Sequence, residues 1–555
     1  VKAEPPRKPH RLLYRVFVRT IVPDSDPPYQ HHEIDPTIIP QAETPRVGED
    51  GTPHRGHVAG AIQMAKDAPP KDAPSKEGLA TGWSFANWLV VAICWCLVLG
   101  FVVFSLLTPY VAQDPQSVAE DQPLGMGDQI QALYFLGMQQ LPGVPESQAR
   151  EVYEQLGSDS TGTLNQRLGD VILAGEFVGA EEAQKKLEVL TEKMEEVGYE
   201  PTPKEKRTKA ALEQLYRDYA MEQWDAPNLT EDDRQGISEN LGWLGTLAIE
   251  PKQLQSNQRI QMESDAKNFT MFLLVVLIFA LGMFGLGSIL AFMAVVLVFM
   301  GYLRSSLKSQ TGHGHIYMET FVLWMIGFLM ISLLIALVVP PSYSLIANSL
   351  GFPASLLALV WPWLRGVRFA EVCGDLGITL RRAWLEPFAG LVGYIAGFPL
   401  LVLSAFFMIG LMAAFGEQPS PDNFQPVYEP SHPINETMEA GGASVFFWVA
   451  LMTCVMAPLV EETIFRGVLY RHLRDMTAWS RVLLSTFSSA AISGFVFAAI
   501  HPQGIFVVPV LGTLGFIFAV VREWRGSLIA PMVMHAIHNG MVTLMLVMVT
   551  TLTSS

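Results

Sequence analysis

The pattern of apolar and polar positions divides the chain into a polar head, one apolar run, a polar middle and a long apolar half. Residues 1–82 are Pro-rich, with stretches such as Asp67-Ala-Pro-Pro-Lys-Asp-Ala-Pro that carry too little apolar surface to offset the entropy of ordering. They predict a disordered tail. Residues 83–110 form the first run able to cross a bilayer, which takes about 20 apolar residues. Trp83 and Trp88 flank one end and Tyr110 the other, where aromatic belts sit. Residues 111–267 turn polar again. Helical spacing shows in Glu181–Val197 and Lys209–Met221, punctuated by Gly157, Gly162, Pro201 and Pro203. This predicts an extramembrane helical insert that binds an unknown partner or spaces the membrane part. From 268 on, spans are expected at 268–303, 316–340, 343–364, 384–415, 442–470, 482–500, 505–521 and 527–551. The first is roughly 50 Å long as one helix. Gly282, Gly285 and Gly287 would permit a turn inside it, but one long or kinked span is preferred. The fold class is therefore all-α: a polytopic transmembrane bundle of about eight helices over 268–555, one N-terminal span and the helical insert.

Charge orients this arrangement. Arg304 and Lys308 follow the first span of the apolar half, and Arg365, Arg368, Arg381 and Arg382 follow the third. Arg471, Arg474 and Arg481 follow the span at 442–470, and Arg522 and Arg525 the one at 505–521. The loop 416–441 holds Glu417, Asp422, Glu429, Glu436 and Glu439 with no Lys or Arg. Basic loops lie on the cytoplasmic side. One crossing at 268–303 thus makes the tail cytoplasmic and puts the insert outside. A multi-pass protein of the membrane is expected, the inner membrane if the source is bacterial. Half the residues are apolar and 16% are charged, with mean hydropathy +0.29, against about 25% charged on average. The net charge of −16 leaves no basic footprint for nucleic acid. Cys94, Cys96, Cys373 and Cys454 lie in or beside apolar segments and fit neither a zinc nor a disulfide pattern.

Three motifs in the last hundred residues carry chemistry. They are Glu461-Glu462-Thr-Ile-Phe465-Arg466-Gly467, Phe497-Ala-Ala-Ile-His501 and His535-Ala-Ile-His538-Asn539. An ionisable side chain inside a membrane costs about 3 kcal/mol even on the lenient insertion scale, so adjacent glutamates need a reason. Glu462 and Arg466 are four apart and pair on one helix face. Glu461 points about 100° away with no local partner, a candidate general base. His535 and Asn539 are also four apart and able to hold a developing oxyanion together. His501 would complete the ring. Counted along helices, Glu461 stands roughly 20 Å above Arg474, His535 roughly 15 Å above Arg525 and His501 roughly 30 Å from Arg481. His501 matches only if Thr477–Ser485 lies partly in the interface or its helix tilts. A cavity open to the inner face is expected.

A double glutamate with arginine four after the second, then Phe-x-x-x-His, then His-x-x-x-Asn, resembles the CPBP family of intramembrane proteases. That family includes the type II CAAX prenyl endopeptidases and relatives linked to bacteriocin self-immunity. The likeness covers residues 380–551. It implies that Glu461 and His501 activate a water, that His535 and Asn539 stabilise the oxyanion, and that Glu462 and Arg466 balance the site. No cofactor is then required. The alternative is a catalytic zinc on Glu461, His501 and His535 with one open position. The implied partners are the bilayer and a membrane-associated or lipid-modified, CAAX-like peptide or protein.

Other polar residues are expected to be structural. His538 is not needed by the pattern, His313 and His315 read as a solvated loop, and Glu319 as interfacial. Met541, Met545 and Met548 read as packing. The competing readings are a non-catalytic scaffold or immunity protein of the same fold and, less favoured, a transporter. The latter often carries paired repeats, and none is found.

Overall fold

The computed structural model describes residues 83–111, 124, 126–156, 161–307, 310–380, 382–416, 420, 422–424, 437–438 and 442–553. The expected tail, 1–82, lies outside them. All regular structure among the described residues is helical. Nine helices there are long and apolar enough to cross a membrane, one for each span expected from the sequence.

Helix α1 (Phe85–Val111) is the first of these. Six helices of the insert follow: α2 (Met126–Gln139), α3 (Glu146–Leu156), α4 (Leu164–Phe177), α5 (Ala180–Val197), α6 (Pro203–Ala220) and α7 (Glu231–Ile249). Threonines start three of them. Thr163, Thr202 and Thr230 each accept from the backbone N–H three residues on, and Gln166, Glu205 and Asp233 answer by accepting from the threonine N–H. Two orphan donors are satisfied at each start. Leu133, Leu136, Leu168, Ile172, Leu212, Leu215, Leu241 and Leu244 share one buried core.

Helix α8 (Asn257–Phe299) runs 43 residues without a break, about 64 Å. The turn that Gly282, Gly285 and Gly287 would permit does not form. Gly287 serves a helix crossing instead. A Cβ there would lie 2.2 Å from the carbonyl oxygen of Ile395, so only glycine lets the two backbones approach. The helix begins inside the insert, where Ala266 and Phe269 join its core.

The membrane part continues with α9 (Gly314–Val338), α10 (Pro341–Leu364), the short α11 (Phe369–Leu376) and α12 (Glu386–Phe415). Then come α13 (Ala443–Met476), α14 (Val482–Ala499), α15 (Val508–Arg525) and α16 (Ile529–Thr553). Helices α14 and α15 form a tight hairpin around Gly494. A Cβ on Gly494 would sit 2.5 Å from the carbonyl oxygen of Gly512. In lipid, where hydrophobicity no longer drives association, such small-residue crossings hold helices together.

The insert is joined to the membrane helices by shared packing. Val549 near the end of α16 and Phe424 of the α12–α13 connection belong to the insert core. Phe424 stacks on Tyr199, ring centroids 4.4 Å apart, under the Arg167 guanidinium at 3.8 Å. Arg167 also donates to the carbonyl oxygen of Asn423 at 2.8 Å, and Lys193 pairs with Asp422. The insert thus packs against residues 420 and 422–424 of the connection between α12 and α13.

His313 and His315 depart from their expectation. Both are partly buried: His313 lies 3.8 Å from Asp375, and His315 is in the first turn of α9. Apolar neighbours and the start of a packed helix draw this segment in. Glu319, near the same end of α9, accepts from Trp361 at 2.7 Å and from Arg365 at 3.0 Å.

Candidate active site

The site begins with the winding of α13. Two π-helical stretches, Met452–Met456 and Glu462–Leu469, interrupt it and flank Glu461. Such wide turns recur at functional sites because they re-aim side chains and leave backbone groups unpaired.

Glu462 and Arg466 form the expected pair at 2.9 Å, both side chains 0% exposed. The guanidinium lies 4.3 Å from the ring centre of Phe497 and 5.2 Å from that of Phe518. Arg466 Nε and Nη2 make no hydrogen bond in the structure, so the ring faces are what they meet. Gly515 makes the room: a Cβ there would stand 3.0 Å from Nη2. This gives Phe497 of the second motif a physical role, as the floor under the arginine.

His535 of α16 joins the two glutamates. Its Nδ1 is 2.9 Å from Glu462 Oε1, and its Nε2 is 3.8 Å from Glu461 Oε2. Glu462 thereby fixes the ring, and the far nitrogen faces Glu461. Of the two side chains Glu461 keeps some accessible surface, 16% against 0%, while its Oε2, on the His535 side, is buried without a hydrogen bond among the described residues. Asn539, one turn on, donates from Nδ2 to the carbonyl oxygen of Thr453 at 2.8 Å. One of its two amide hydrogens is therefore spent on α13.

His501 follows the end of α14, its Nδ1 2.5 Å from the Phe497 carbonyl oxygen and its ring 4.5 Å from the Phe497 ring. The depth mismatch has a structural resolution. Arg474 donates to Ser485, and Thr477 shares hydrogen bonds with Ser485 and Ser489. The count along α14 therefore starts at Ser485 rather than Arg481. His501 then stands about 24 Å from that level, close to the roughly 20 Å of Glu461.

Toward the Arg474 end, where an opening was expected, the side chains are packed. Tyr470, Leu473, Arg474, Ser485, Glu523 and Ala530 fill that side and are all buried. Glu523 knits them, accepting from Tyr470 at 2.8 Å and from Arg474 at 3.1 and 3.0 Å. A charged pair sealed in this way is tolerated because every partner is hydrogen-bonded. His538 lies 3.2 Å from the Tyr394 hydroxyl of α12.

Among the described residues no three His, Cys, Asp or Glu side chains are arranged to hold a metal ion. The residues that motif reasoning missed are Thr453, which receives Asn539, and Phe518, which stacks on Arg466. Neither carries a signal in its own sequence neighbourhood.

Nine apolar helices among the described residues, together with a buried cluster of glutamate, arginine and histidine, define an integral, multi-pass membrane protein. Residues 443–541 match the model of a protease family, described as type II CAAX prenyl endopeptidase Rce1-like. The chain is 29% identical over 90 residues to the membrane-embedded CAAX protease MroQ of Staphylococcus aureus (strain USA300), covering 16% of this chain and 36% of that protein. It is 32% identical over 83 residues to an uncharacterized 24.3 kDa protein of Escherichia coli, covering 15% of this chain and 36% of that one. The chain thus spans about a third of the length of these curated relatives. No solved structure matches it.

Proposed function

We propose that this protein is an intramembrane endopeptidase that hydrolyses peptide bonds of membrane-associated or lipid-modified, CAAX-like substrates. The observation that carries the reading is the meeting of Glu461, Glu462, Arg466 and His535 inside an apolar bundle, within the segment that matches a protease family.

Glu461 is the general base: its Oε2 has no hydrogen-bond partner among the described residues and is available to a water, whereas Glu462 is engaged by Arg466 and His535. It takes a proton as the water oxygen attacks the scissile carbonyl carbon, with His501 helping to hold that water. The carbonyl electrons move onto oxygen. His535 and the remaining amide hydrogen of Asn539 stabilise the oxyanion, interactions that strengthen as charge develops. Collapse of the tetrahedral intermediate breaks the C–N bond, and Glu461 returns the proton to the leaving amine. Glu462 and Arg466 cancel each other's charge and hold His535 in place. In this scheme protein groups alone activate the water.

The test is cleavage of a library of membrane-anchored peptides by the purified, reconstituted protein, wild type beside Glu461→Ala. Cleavage by wild type that vanishes in the variant is expected. Equal cleavage by both would overturn the role of Glu461 and favour the scaffold reading. A chelator arm reads metal dependence.

A further inference from the structure

Helix α13 carries a proline three residues before Glu461, and its consequence can be followed atom by atom. In the π-helical stretch Met452–Met456 each carbonyl looks five residues ahead for a donor, and the N–H of Ala457 goes to the carbonyl of Met452. The carbonyl of Thr453 would need residue 458. That residue is Pro458, which has no N–H. A carbonyl in a half-buried, apolar setting is costly to leave without a donor, so it is satisfied from elsewhere. Asn539 of α16 supplies the donor, at 2.8 Å. A second link lies one turn along α16, where the hydroxyls of Thr453 and Thr543 are 3.0 Å apart and Thr543 is buried.

We propose that Pro458 and Thr453 form a docking point for α16, and that this point sets the helix register at which His535 meets Glu461 and Glu462. Pro458, Thr453 and Thr543 are then positioning residues, and the proposal rests on the proteolytic reading for its effect on rate. The geometry supports the linkage. His535 and Asn539 are one turn apart on α16, so the atom that anchors Asn539 fixes the height and rotation of His535. A slip of one residue would turn His535 about 100° away from the carboxylates. The π-turn, the proline and the asparagine form one device: the proline removes a donor, and the asparagine replaces it from the opposing helix.

The structure offers a register probe that does not depend on activity. A Cβ at position 540 would lie 3.8 Å from Cys454 Sγ. With Cys94, Cys96 and Cys373 replaced by alanine, Gly540→Cys in the full chain should form a disulfide with Cys454 under mild oxidation. Into this background go Pro458→Ala, which returns an N–H to α13, together with Thr453→Val, Thr543→Val and the control Thr453→Ser. Cleavage is measured in parallel on the same substitutions without the cysteine changes.

Pro458→Ala is expected to keep or raise thermal stability while slowing disulfide formation and lowering kcat by about tenfold or more, with KM little changed. Thr453→Val and Thr543→Val should act in the same direction, and Thr453→Ser should restore both readouts. Normal disulfide rates in Pro458→Ala and both valine variants would overturn the proposal, whatever the protease assay shows. Slowed disulfide formation in a protein whose wild type cleaves nothing would support the register device and count against the proteolytic reading alone.

Discussion

Arg466 is the residue on which the site's electrostatics turn. It has one carboxylate partner, three aromatic rings within 6 Å and no water-exposed surface. Removing one member of a buried pair leaves the other charged and alone, which costs about 3–5 kcal/mol. Arg466→Ala should therefore unfold more readily in a detergent melt and lose activity. The double variant Glu462→Gln/Arg466→Met should recover stability yet stay inactive, because His535 loses its carboxylate anchor. Recovery of cleavage by the double variant would show that the pair is structural only. The pairing of Glu462 with Arg466 was legible from a spacing of four. That His535 and Glu461 share one site was expected from the three motifs, but the bond from His535 to Glu462 was not, because it depends on how helices 73 residues apart pack. The engagement of Asn539 by Thr453 was hidden for a related reason: it stems from a missing N–H at Pro458, read only once the winding of α13 is known.

At the scale of elements, the insert helices show how propensity and burial divide the work. Threonine-led capping boxes at 163, 202 and 230 are visible in the sequence as Thr-x-x-Gln, Thr-x-x-Glu and Thr-x-x-Asp. They mark helix starts better than apolar spacing alone. Tyrosines fill the insert core. Burial pushes the Tyr199 phenol up to about 12 from its ordinary 10.0, helped by the charge of Glu205, and raises Tyr153 and Tyr219 in the same direction. A phenol with a raised folded pKa stabilises the fold fully below its unfolded value and loses that contribution as pH climbs through the folded one. The insert is therefore expected to loosen between about pH 10 and pH 12. Tyrosinate absorbance and near-ultraviolet circular dichroism would follow it. Titration of all tyrosines near 10, with the core signal intact, would contradict this packing. The π-helical stretches of α13 were not legible, since a wide turn leaves the apolar run that signals a span unchanged.

For the whole molecule, the nine spans were legible because lipid imposes a length and a composition on each of them. The junction of insert and membrane part was not, since α8 passes from one environment to the other without a break and Phe424 and Val549 cross over to complete the insert core. Arg167 clasps that junction through the carbonyls of Ser420 and Asn423 and the ring of Phe424. Arg167→Ala should raise hydrogen exchange at 422–424 by about tenfold or more, the loss expected for charged hydrogen bonds. Cleavage should persist, because Glu461 and His535 are held by membrane helices. Unchanged exchange would mean that the connection is anchored by other contacts.

The Glu523 cluster has a consequence for how the chain enters the bilayer. Arg474 on α13 and Glu523 on α15 are 49 residues apart, so the ribosome delivers one long before the other. Until α15 arrives, Arg474 and Tyr470 lack their acceptor, and α13 is an apolar segment burdened with unmatched charge. Stable insertion of α13 is thus coupled to synthesis of α15. A chain truncated before residue 523 should leave its sixth span poorly integrated and exposed to quality-control proteolysis, although that span is long and apolar enough to cross alone.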